Sequence, residues 1–198
     1  MDISARNAGQ VAAIALLFSV ATHALYVIKS SAGLGIASSA IWTVEAIAFA
    51  VMALFALVAL ARRASAPVVW ASFAIGGVFN VIQTGMGLAM FGPLRAGGEA
   101  MAPAFQAVLA GAFFFYFAGK FLFGIAATVL GLALLKGPIA ARVIGGLAAL
   151  IGLAAIVLNG VAMAIGTQIG PWAGAAGVAA ALLAALAVLT TGRQSIVA

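Results

Sequence analysis

GAFFFYFAGKFLFG, residues Gly111–Gly124, carries seven aromatic residues in fourteen positions and one lysine, Lys120, in their midst. A run this apolar reads as a membrane helix. There an ammonium group needs a reason, because an ionisable residue at the centre of a membrane helix costs about 2.5–3.5 kcal/mol on the insertion scale. The rest of the chain repeats the apolar character. Of its 198 residues, 67% are hydrophobic and 6% charged, against about 25% charged in a soluble domain. Mean hydropathy is +1.31, and the 24 glycines fit membrane helices, where glycine is enriched.

Spanning the hydrocarbon core takes about 20 apolar residues. Six runs satisfy this: 8–29, 39–61, 68–91, 106–135, 140–165 and 171–192. Between them lie SSAGLGIASS, RRASAP, GPLRAGGEAMAP, KGP and GTQIGP. Pro67, Pro93, Pro103, Pro138 and Pro171 all fall at these boundaries, where a missing N–H costs least, and none interrupts an expected helix. The first run follows Arg6 as a signal peptide would, but we read it as the first membrane helix. The expected fold is all-α: a polytopic integral membrane protein with six transmembrane helices in one domain spanning 1–198.

The net charge of +6 does not indicate a nucleic-acid partner, because the nine basic residues are scattered at the ends of apolar runs. They set orientation instead. One side would hold Arg6, Arg62, Arg63, Lys136, Arg142 and Arg193; the other would hold Lys29 and Arg95. The positive-inside rule then places both termini in the cytoplasm (N-in/C-in), in what we expect to be a bacterial inner membrane. Trp42, Trp70 and Trp172 lie near helix starts, as interfacial anchors do.

Three ionisable residues fall inside the expected spans: His23, Glu45 and Lys120. Tyr26, Asn80, Gln83, Thr84, Tyr116 and Asn159 add polar groups. Helical spacing puts His23 with Tyr26, Asn80 with Gln83 and Thr84, and Tyr116 with Lys120 on shared faces. All lie in the outer half of the bilayer or at its midplane. Turned inward, they would form a pocket open to the extracytoplasmic face, with Lys120 as floor, aromatic walls and Glu45 as counter-ion. The expected ligand-binding residues are therefore Lys120, Glu45, His23, Tyr26, Asn80, Gln83, Tyr116 and Asn159. Each also has a purely structural reading, as an ion pair or as interhelical hydrogen-bonding glue. The last run has no polar group before Thr190, which suggests peripheral packing or an oligomer contact.

Several chemistries are excluded. No cysteine means no disulfide and no thiolate chemistry. A single histidine is too few for a bis-histidine haem, and there is no HExxH, nucleophile elbow or phosphate-binding loop. We expect no cofactor, no metal and no catalytic residue. The leading expectation is a protein that binds or transports a small amphipathic or anionic ligand, or a lipid. In helix count and pocket side it is similar to the substrate-binding subunits of vitamin importers, though no family motif supports that likeness. The alternative is a non-catalytic accessory or sensor subunit of a larger membrane complex, or a homo-oligomer. An intramembrane enzyme or a quinone or haem subunit ranks last.

Overall fold

The computed structural model describes residues 3–62 and 65–191. Arg63 and Arg193, counted above for orientation, and the end of the last run at 192 lie outside the described residues. Every regular element among them is helical. The α-helices are α1 (Ala5–Ala32), α2 (Ser38–Ala61), α3 (Pro67–Ala96), α4 (Ala102–Leu134), α5 (Ile139–Ile165) and α6 (Gly170–Thr191). Short 3-10 turns at Gly98–Met101 and Gly166–Ile169 precede α4 and α6.

Local chemistry explains the ends. The Ser4 side chain accepts a hydrogen bond from the Asn7 N–H and caps α1, and Gly33, at φ 65°, stops it in the left-handed region that glycine tolerates. Pro67 sits in the first turn of α3, where a proline ring fits. Pro93 departs from expectation: it lies inside α3, which continues to Ala96. Its missing N–H gives up one helical hydrogen bond, to the carbonyl four residues earlier, near the C-terminal end of the helix.

The number of spans also departs from expectation. Five helical stretches are long and apolar enough to cross a membrane, where six separate runs were expected. The fifth, Ile139–Thr190, contains both α5 and α6. The GTQIGP segment does not form an open loop. It keeps its helical character as the 3-10 turn Gly166–Ile169, entered through Gly166 at φ 74°. The chain nevertheless reverses there, because α5 and α6 pack against each other.

Helix α4 is the hub, packed on α3, α5 and α6, while α6 also reaches α1 and closes the bundle. The peripheral role expected for the last run is not what the fold shows: Ala173, Ala180, Ala181, Ala184 and Ala185 of α6 are all buried in the core. Alanine's small side chain lets α6 sit close to three other helices at once. Glycine does the same between α4 and α5. A Cβ on Gly124 would lie 2.8 Å from the Gly152 carbonyl oxygen, and one on Gly131 would lie 2.5 Å from that of Gly145. At the centre, Phe49 stacks on Phe123 at 6.1 Å and Phe73 meets the same ring edge-on at 6.3 Å.

Candidate functional site

A cavity of about 190 Å3 lies among α1, α2, α3 and α4. His23 and Tyr26 line it from α1, Trp42 and Glu45 from α2, Gln83, Phe91 and Arg95 from α3, and Leu109, Ala112 and Phe113 from α4. Each pair on α1 and α2 is spaced three residues apart, one helical turn, so both side chains reach the same space. Glu45 is only 6% exposed. Among the described residues, its carboxylate has no hydrogen-bond or ion-pair partner.

Lys120 lies behind this cavity and is 2% exposed. Its Nζ sits 5.2 Å from the centre of the Phe49 ring, 5.1 Å from Tyr116 and 5.3 Å from Phe123. Three ring faces thus supply the negative potential that water would otherwise give. The expected direct pairing with Glu45 is not what the geometry gives. Glu45 and Lys120 are near enough to feel each other's charge, without a direct ion pair. The aromatic run explains why: Tyr116 is one turn before Lys120 on α4, so its ring lies over the stem and intercepts the ammonium. Tyr116 in turn stacks against His23, with centroids 6.1 Å apart.

Helix α6 shapes this cluster although it lends no polar group. A Cβ on Gly177 would lie 2.5 Å from Lys120 Cβ and 2.7 Å from its Cγ, and one on Gly174 would lie 3.1 Å from the Tyr116 hydroxyl. These two glycines, one turn apart, are the space into which Tyr116 and Lys120 fold.

The eight residues expected to bind a ligand therefore separate into three groups. His23, Tyr26, Glu45 and Gln83 face the cavity. Tyr116 and Lys120 form the layer behind it. Asn80 and Asn159 are elsewhere: both are 0% exposed and neither lines the cavity. Asn80 Nδ2 donates to the Gly76 carbonyl at 2.7 Å, and its amide packs against Gly119 of α4. Asn159 Nδ2 donates to Ala155 at 2.9 Å and to Ala173 at 3.0 Å, tying α5 to α6. The Oδ1 of each asparagine has no partner.

Sequence reasoning missed Trp42, Phe91 and Arg95 as lining residues. Trp42 read as an interfacial anchor and Arg95 as an orientation charge. The available signal was the one-turn spacing of Trp42 and Glu45 on α2.

A second, larger cavity of about 540 Å3 lies between α4 and the end of α5, bordered by Gln106, Phe114, Phe117, Met163 and Thr167. It shares Leu109 and Phe113 with the first, so those two side chains are the wall between them. No group of three or more His, Cys, Asp or Glu residues that could hold a metal ion occurs among the described residues. Comparison with known proteins gives no match to a family model, a curated protein or a solved structure.

Proposed function

We propose that this chain is an integral membrane protein that binds or transports a small amphipathic ligand through the cavity around Glu45. In this reading α5 and α6 each cross the bilayer, giving six spans. Both termini are cytoplasmic, and the α1–α2 and α3–α4 connections lie on the extracytoplasmic side, the arrangement the distribution of Lys and Arg favours. The single observation that carries the reading is Glu45: a buried carboxyl group that faces a cavity and, among the described residues, has no hydrogen-bond or ion-pair partner. An ionisable group in a membrane helix is expensive, and such groups face cavities or pathways when they are retained. The cavity is below the roughly 300–1,000 Å3 of sites for drug-sized molecules, so its occupant is compact or enters by its head group alone.

Mass spectrometry of molecules that co-purify with the detergent-solubilised chain tests this. A small amphiphile should be present and should be depleted from a Trp42→Leu variant that remains folded. If nothing co-purifies, and neither membrane lipids nor small metabolites raise the melting temperature, the reading fails and the accessory-subunit alternative stands.

A further inference from the structure

A continuous arc of rings with a cation at each end runs past the cavity; Tyr26, Trp42, Phe91 and Arg95 of this arc line it, and Lys29 and Phe105 extend the arc beyond the lining. Lys29 Nζ donates to Ser38 Oγ at 2.6 Å and lies 5.9 Å from the Tyr26 ring. Tyr26 meets Trp42 at 5.9 Å, Trp42 meets Phe91 at 5.8 Å and Phe91 meets Phe105 at 5.4 Å. The Arg95 guanidinium closes the arc, 5.0 Å from the Phe105 ring. Arg95 is exposed, and it also lines the cavity. Glu45 is one turn further along α2 than Trp42, on the buried side of the arc. The site therefore has a positive mouth, an aromatic wall and a negative group inside.

That order of charges selects a ligand class. A plain anion drawn in by Arg95 would meet the Glu45 carboxylate, and like charges repel strongly where burial lowers the effective dielectric. A plain cation would first have to pass Arg95, which is exposed and lines the cavity. A ligand with an ammonium at one end and an anionic group at the other meets neither obstacle. Its ammonium goes inward to Glu45 and the faces of Trp42 and Phe91, as aromatic cages hold ammonium groups. Its anionic end stays at Arg95. Lys120 makes no direct ion pair with Glu45, its ammonium being turned onto Phe49, Tyr116 and Phe123, so the carboxylate keeps its cavity side open to a ligand cation.

We infer that the cavity takes a small zwitterion, ammonium inward and phosphate or carboxylate at the mouth, either free or as the head group of a lipid. This rests on the binding reading above and specifies its ligand.

The test uses the full chain in detergent, with phosphoethanolamine, ethanolamine and inorganic phosphate as probes and thermal shift as readout. Phosphoethanolamine should act at a concentration at least tenfold below either half-molecule. Glu45→Gln should raise that concentration tenfold or more, and Arg95→Gln should raise it severalfold. Native mass spectrometry after mixing with equal phosphatidylethanolamine and phosphatidylglycerol separates the sources. Preferential retention of phosphatidylethanolamine without a response to the free probe identifies a lipid head group. A response to the free probe identifies a soluble ligand.

Phosphate acting as well as phosphoethanolamine, or equal retention of both lipids, overturns the zwitterion inference but leaves the binding reading intact. No response to any probe and no retained lipid overturns both. If Glu45→Gln does not fold, discrimination among the probes by the unaltered chain still decides.

Discussion

The imidazole of His23 lies against the ring of Tyr116 with 23° between their planes, joining α1 to α4 across the inner wall of the cavity. Tyr116 also offers its ring to the Lys120 ammonium. One phenol thus links the residue at the cavity wall to the buried charge behind it. Stacked aromatic pairs contribute about 0.5–1.5 kcal/mol beyond their buried area. His23→Phe should keep the melting temperature close to that of the unaltered chain, and His23→Ala should lower it. A double-mutant cycle of His23→Ala with Tyr116→Ala should give a coupling of about 0.5–1.5 kcal/mol. A coupling near zero would show that the stack contributes nothing.

Gly177 controls where the Lys120 stem can lie. Its missing side chain leaves the space that Lys120 Cβ and Cγ occupy. Gly177→Ala should destabilise the chain by about 1–3 kcal/mol, the usual penalty for overpacking. Adding Lys120→Ala should recover part of that loss in chemical or thermal denaturation. A pair of purely additive effects would mean that the two positions do not share space.

The α4–α5 seam admits a sharper comparison. A Cβ on Gly131 would collide with the backbone of Ala149 and Gly145, whereas one on Gly146 would meet nothing within 4 Å. Gly131→Leu should therefore lose more than about 3 kcal/mol or fail to fold, since the obstacle is backbone and cannot rotate away. Gly146→Leu should be near neutral. Size-exclusion profiles and melting temperatures of the two variants measure the difference.

Lys120 itself gives an unusual expectation. Among the described residues it has no carboxylate paired directly with it, so removing its charge breaks no ion pair and costs Glu45 only a longer-range attraction. Replacing a buried charge by an apolar group of similar volume is often neutral or stabilising by about 1–4 kcal/mol. Lys120→Met should melt at or above the temperature of the unaltered chain. A large loss of stability would show that the ammonium is structural.

The orientation is open to a clean labelling experiment because the chain has no cysteine of its own. Ala100→Cys, between α3 and α4, should react with a membrane-impermeant maleimide in intact cells. Lys136→Cys, between α4 and α5, should react only after permeabilisation. The reverse pattern would invert the proposed topology.

Hydropathy was enough to read an all-helical chain with long apolar helices, because a bilayer solvates only long apolar stretches whose backbone bonds are satisfied internally, but it did not give the five continuous stretches or the passage of α3 through Pro93. The aromatic run around Lys120 and the shared face of His23 with Tyr26 follow from spacing along one helix. What lies across from each face does not. Whether Lys120 met Glu45 or a ring of aromatics depended on Phe49 arriving from α2 and on Gly177 making room from α6. Asn80 and Gln83 share a helix and a spacing, yet one clasps its own backbone and the other faces the cavity. Periodicity sets the direction of a side chain relative to its own axis. The rotation of each helix about that axis is set by packing against its neighbours, and that rotation decided which polar groups met, which were sealed away, and that Arg95 joined them at the mouth.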